Sequence, residues 1–155
     1  VRILLLSPYD TRSHRRWRQG LVAAFPQHDW TVLTLPARHF SWRVRGNPLY
    51  WSLAERDTLE DAYDLLLATS LVDLATLRGL VPCLTALPTV LYFHENQFAY
   101  PAGRHRHGML EAQIASLYSA LAADRAQEQQ VRAPKPPREA LKMLLLAMPY
   151  PTPVP

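Results

Sequence analysis

At 155 residues, with 48% hydrophobic and 19% charged side chains, the chain has the size and composition of one domain with a real core. No apolar run approaches the length of a membrane span, and Val1–Leu6 is too short for a signal-peptide core, so neither a membrane partner nor export is expected. The single cysteine, Cys83, excludes an internal disulfide and a Cys-rich zinc site and suits a reducing compartment; it reads as a small buried apolar residue.

The net charge is +4, but its placement says more than its size. Arg12, Arg15, Arg16, Arg18, Arg38, Arg43 and Arg45 crowd the first third, where Asp10 and Asp29 are the only acids before Glu55. Arginine presents a planar fork suited to phosphate, so an early basic face points to a polyanionic partner, nucleic acid first.

Arg2–Leu6 is a short apolar run, ended by Ser7-Pro8. Ser13 is expected to cap a helix that runs to about Phe25, with Pro26 stopping it. Trp17, Leu21, Val22 and Phe25 share one face of that helix at helical spacing. Backbone N–H groups at a helix start attract anions, and Arg12 and His14 stand there. The loop lacks the glycines of a dinucleotide fingerprint, which argues against a nicotinamide site.

Trp30–Leu35 reads as the next strand, stopped by Pro36. Residues 37–50 show no clear period and read as a long functional loop in which Phe40 and Trp42, with Trp51 just beyond, occur among Arg43 and Arg45. Rings among arginines are what a surface needs to stack bases and hold phosphates. Asp64–Ser70 is a third strand, and Asp73–Arg78 a short helix with Gly79 as its C-cap.

Val90–Phe93 is a strand of the kind buried on both faces, and it runs straight into His94, Glu95, Asn96 and Gln97. Such a strand delivers these groups to the crevice at its carboxyl end, where open α/β sheets bind ligands. Residues 109–123 form a helix with Leu110, Ile114, Leu117 and Leu121 on one face and Gln113 and Ser116 off it. His105 and His107 read as solvated histidines on a loop. From Arg125 to Arg138 the chain is polar and carries Pro134, Pro136 and Pro137, so it reads as a linker; Glu139–Met148 fits a short apolar helix, and residues 149–155 run extended. Four strands alternating with helices indicate an α/β fold with a Rossmann-like, doubly wound parallel sheet.

Several of these residues fall into a pattern. Ser13-His14 at the first helix, Leu35-Pro36-Ala37, Trp42-Arg43-Val44-Arg45, and Leu91-Tyr92-Phe93-His94-Glu95-Asn96-Gln97 with Tyr100-Pro101 resemble the N-terminal domain of the tRNA-queuosine mannosyltransferases, glycosyltransferase-like proteins of the GT-B, family 4 type. The resemblance covers roughly residues 1–124, leaving 125–155 as a proline-containing tail. It implies the N-terminal half of a GT-B glycosyltransferase: a cytoplasmic, retaining hexosyltransferase that moves mannose from GDP-mannose to queuosine in the anticodon of tRNA-Asp, with no metal or other cofactor.

The same resemblance implies roles for residues. His94 and Glu95 are the catalytic candidates; Ser13, His14, Asn96 and Gln97 are candidates for holding acceptor or donor. Arg12, Arg15, Arg16, Trp42, Arg43 and Arg45 are the candidates for the tRNA anticodon arm. Two departures from the family pattern are visible. Thr11 and Arg12 stand where some members have two glycines, and Arg125-Ala126-Gln127-Glu128 replaces an expected apolar strand. With no second domain for the nucleotide sugar in these residues, the chain alone is expected to be weak or inactive. The alternative is a non-catalytic RNA-binding module of the same fold.

Overall fold

The computed structural model describes residues 1–94 and 109–128. Their centre is a five-stranded sheet in the order β2-β1-β3-β4-β5, every neighbouring pair parallel. The strands are β1 (Arg2–Asp10), β2 (Asp29–Pro36), β3 (Leu65–Thr69), β4 (Thr89–Phe93) and β5 (Arg125–Glu128). The helices are α1 (Arg12–Ala24), α2 (Phe40–Ala54), α3 (Arg56–Leu59), α4 (Leu74–Leu80) and α5 (Met109–Ala122), with a 3-10 turn over Pro82–Thr85. The sheet is thus the Rossmann-like α/β arrangement that the alternation of segments implies.

The step from β1 to β2 runs towards one edge, and the later steps run towards the other. Right-handed connections therefore put α1 on one face and α2, α4 and α5 on the opposite face. The main core lies on that second face. It joins Leu4 and Leu6 of β1, Leu66 and Ala68 of β3 and Leu91 of β4 to Trp51 of α2 and Leu74 and Leu77 of α4. Strand order, not direction, reverses between β1 and β3, and this is the switch point at which such sheets bind ligands. There the Thr69 hydroxyl donates to the Leu6 carbonyl at 3.2 Å and ties the two strands together.

Several expectations change. Strand β1 does not stop at Ser7-Pro8 but continues to Asp10, with a register shift after Ser7 that absorbs the missing N–H of Pro8. The cap of α1 is Thr11, not Ser13: its hydroxyl accepts from the His14 N–H at 3.4 Å, while Ser13 bonds to that same hydroxyl at 3.0 Å. Phe25 ends the helix exposed rather than on its buried face. Gly79 lies inside α4, which runs on to Leu80 because Val81 N–H still donates to Leu77 O at 2.8 Å, while Asp73 caps its start by accepting from Thr76 N–H at 3.2 Å. Cys83 is exposed on the 3-10 turn, not buried.

The largest correction concerns residues 37–50. They are not an irregular loop: from Phe40 onwards they form α2, despite Pro48 in its interior. Proline supplies no N–H to the carbonyl four residues back, which here is Val44. The Asn47 side chain fills that gap, its Nδ2 lying 2.8 Å from Val44 O and 2.7 Å from Arg43 O. A helix with a side-chain rung shows no clean period, and aromatic residues on both sides blur it further.

In α5 the buried face is made of Ala112, Ala115, Ser116 and Ser119 with Leu117, while Leu121 is exposed. Small residues let α5 approach closely, and the Ser119 hydroxyl donates to Val72 O at 2.7 Å while accepting from Leu74 N–H at 2.9 Å. Beyond residue 124 the chain does not leave the sheet at once. Arg125–Glu128 pairs with Val90–Phe93 as a fifth strand, because backbone hydrogen bonds to β4 need no apolar side chains. Residues 129–155, which hold the rest of the segment read above as linker, the short helix and the extended tail, lie outside the described residues, as do His105 and His107.

Candidate active site

Strand β4 delivers His94 just past its last paired residue, and α1 brings His14 from its first turn to meet it. The two imidazoles stack, with ring centroids 4.1 Å apart and planes 13° from parallel. Trp17, one turn further along α1, stacks on Tyr92 at 4.3 Å and meets the His94 ring edge-on at 4.6 Å. Alternation along β4 explains the set: Tyr92 points to the α1 face while Leu91 enters the main core. The backbone N–H of His94 reaches the Ser70 hydroxyl at 3.4 Å, so the turn after β3 supports the position of the ring.

Burial, with the neighbouring His14 second, pushes the His94 imidazole down to about 4, so it is neutral at physiological pH. Its Nε2 is buried without a hydrogen-bond partner among the described residues, as is Nδ1 of His14. A buried ring nitrogen without a partner costs free energy unless a ligand completes it. Burial also raises the Tyr92 phenol, against a smaller opposing effect of its hydrogen bond to Trp17. The result is a cluster of stacked rings, with a neutral His94, at the carboxyl end of the sheet.

The arginines sort into held and free. Arg15 Nε and Arg18 Nη2 bind the buried carboxylate of Asp10 at 2.8 and 3.3 Å. Arg45 binds the buried Asp73 at 3.1 Å. Arg12 and Arg16 are exposed on α1 and have no ion pair among the described residues. Arg43 is half-buried, and its Nε lacks a partner among the described residues. Trp42 is 66% exposed, with its ring laid along its own helix over Gly46, where an added Cβ would meet it at 3.3 Å.

The structure thus brings together His14 and His94, and it places Ser13, Arg12 and Arg16 along the same helix as His14. Trp42, Arg43 and Arg45 share α2. Glu95, Asn96 and Gln97 lie outside the described residues. Residues that sequence reasoning did not single out for the site are Asp10, Asn47, Ser70, Asp73 and Tyr92. Only Asn47 carried a readable sign, an amide directly before a proline. Among the described residues no group of three or more His, Cys, Asp or Glu is placed to hold a metal ion, and no helix is long and apolar enough to cross a membrane.

Residues 2–127 match the family described as tRNA-queuosine alpha-mannosyltransferase N-terminal. The chain belongs to this family. It is also similar to the tRNA-queuosine alpha-mannosyltransferase of Drosophila melanogaster, 34% identical over 123 residues. That alignment takes in 79% of this chain and 32% of the relative, so the chain spans about a third of the relative's length. The family match runs past residue 124 into β5, in accord with the pairing of Arg125–Glu128 to β4. It also contains the His14–His94 stack and the arginines of α1 and α2.

Proposed function

We propose that this domain forms the acceptor side of a retaining mannosyltransferase that moves mannose from GDP-mannose to queuosine in the anticodon of tRNA-Asp. The observation that carries the reading is the stacked His14–His94 pair, with its unpartnered ring nitrogens, at the carboxyl end of β4. A neutral imidazole can hydrogen-bond a sugar hydroxyl, and it adds no positive charge as an oxocarbenium-like centre develops. The depressed His94 meets that requirement. Ser13, in the first turn of α1, is available to the acceptor or to donor phosphate.

Glu95, Asn96 and Gln97 follow His94 directly and complete the polar set that would grip queuosine and the sugar hydroxyls. A second domain would hold the nucleotide sugar. The reading assigns no role to a metal or a further cofactor, and it places the protein with its tRNA in the cytoplasm. Arg12, Arg16 and Arg43 are the cations for the anticodon backbone, Arg15 and Arg45 are engaged by Asp10 and Asp73 and contribute less, and Trp42 offers an exposed ring for a base.

Binding of the chain to tRNA-Asp with and without queuosine, measured across a salt series, tests the reading. Tighter binding to the queuosine form, weakened in Asn96→Ala, is the expected result. Equal binding to both forms at every salt concentration would overturn the acceptor assignment.

A further inference from the structure

Helix α1 carries three residues that work against its own stability. Arg12 and Arg16 stand at its amino end, where the helix dipole is positive, and no acidic side chain occupies the first turn. Spaced i, i+4, they repel each other, and neither has an ion pair among the described residues, whereas Asp10 engages Arg15 and Arg18. Gly20, in the helix interior, weakens the helix relative to alanine. The packing does not require it, because an added Cβ would meet nothing within 4 Å. Arg12, Arg16 and Gly20 follow one another at i, i+4 and i+8, so they mark one flank of the helix. That flank borders an open groove of about 520 Å³, lined by Ser13, Arg16, Trp17, Gly20 and Leu21. Trp17 joins the groove to the ring cluster, since it also stacks on Tyr92 and meets His94 edge-on.

We propose that this groove seats the nucleotide next to queuosine in the RNA strand, with its base against Trp17 and over Gly20 and its phosphates on Arg16 and Arg12. The inference rests on the acceptor reading above and adds a second seat for the same strand. A nucleotide matches the lining part by part. Its base has flat apolar faces for Trp17 and Leu21, whatever the base, because every base has a π-face. Its phosphate is the anion that the two unpaired guanidiniums lack, and its ribose hydroxyls suit the Ser13 hydroxyl. An apolar peptide would leave both cations uncompensated, and a free anion would leave Trp17 and Leu21 uncovered. Gly20 then has a reason: a side chain there would stand where the base lies.

The test is binding of the full chain to tRNA-Asp, with and without queuosine, by the parent and by Gly20→Leu. Leucine forms helix better than glycine, so the variant is expected to keep or raise the thermal midpoint while it fills the groove. Gly20→Gln gives the same readout should the leucine variant lose its fold. Either variant is expected to weaken binding of both tRNA forms about tenfold. The ratio between the forms and the salt slope should stay as they were, because no cation is removed. Making the tRNA abasic on one side of queuosine, then on the other, is expected to abolish the effect of Gly20→Leu for one of the two. Undiminished binding by the folded variant would overturn the inference, as would an effect that survives both abasic changes. A loss confined to the queuosine form would also overturn it, by putting queuosine itself in the groove. Equal binding of the two forms by the parent would overturn the acceptor reading alone, and Gly20→Leu would still decide the groove. Failure of the parent to bind either tRNA would overturn both.

Discussion

The Asn47 amide donates to the carbonyl of Leu71 at 3.0 Å, and Leu71 holds a left-handed backbone with φ 75°. A branched side chain in that region costs about 1–2 kcal/mol, so something must hold it there. Asn47 does so from α2, and its Oδ1 also accepts from the Asp73 N–H at 3.3 Å. One fully buried amide therefore joins α2 to the turn that follows β3. Ser70, which supports the backbone of His94, lies in that same turn.

Replacing Asn47 with Ala leaves the carbonyls of Val44 and Leu71 buried and short of a donor. The expected cost is about 1–3 kcal/mol for each group left unsatisfied. Urea unfolding would record it as a lower midpoint at unchanged slope. Stability equal to the parent chain would show that water takes over these bonds.

His94 sets a pH dependence whose sign can be worked out. Unfolded, the ring titrates near its ordinary value of about 6.5; folded, it is held down to about 4. Between those values the unfolded chain takes up a proton that the folded chain refuses, so stability falls as pH drops through that window. Above about pH 6.5 the contribution is fully present. His94→Gln should flatten this part of the curve, as seen by comparing thermal midpoints at about pH 7.5 and about pH 4.5. An unchanged slope would assign the acid sensitivity to other groups.

The split between held and free arginines gives different salt dependences in RNA binding. Arg16 faces solvent without an ion pair, and Arg16→Ala should lower the slope of log K against log salt by about one unit if it meets a phosphate. Arg45 already neutralises the buried Asp73, so Arg45→Ala should instead lower stability by stranding that carboxylate. A reversal of these two effects would redraw the RNA-facing surface.

Trp42 contributes little to the core because its ring is mostly exposed. Trp42→Ala should leave the thermal midpoint nearly unchanged and, where the ring stacks on a base, weaken RNA binding by about 1–3 kcal/mol. A large drop in midpoint with unaltered binding would make Trp42 a structural residue.

Arg78 clamps the far end of the sheet. Its guanidinium donates to the carbonyls of Ala122 and Leu87 and to the Thr89 hydroxyl, and burial lowers its pKa against the opposing pull of Asp124. Arg78→Met keeps most of the side-chain volume and removes these bonds. It should destabilise the attachment of α5 and β5 by about 1–3 kcal/mol, seen as faster amide exchange in residues 122–126.

Much of the fold was legible because its signals are local. Apolar runs bounded by Pro8, Pro36 and Pro88 marked β1, β2 and β4, and the run into His94 marked the ligand end of the sheet. What was not legible depends on contacts far along the chain. Helix α2 was hidden because its missing rung is supplied by a side chain, and β5 because its polar residues earn their place through backbone pairing alone. The site was half legible. His94 and His14 could be named from their positions at a strand end and a helix start, but not their mutual stacking. Nor could charge counting separate Arg16 from Arg15 or Arg45, since the partners Asp10 and Asp73 are assigned only by folding.

The amide rung in α2 also bears on the order in which the chain acquires its structure. The four bonds of Asn47 divide by how far along the chain their partners lie. The two to Arg43 and Val44 exist as soon as the helix does, whereas those to Leu71 and Asp73 need a stretch made more than twenty residues later. The bond that mends the proline flaw is therefore local to α2, whereas the bonds that fix the helix to the turn after β3 depend on residues 71 and 73. A helix near the start of the chain thus waits for a turn near its middle.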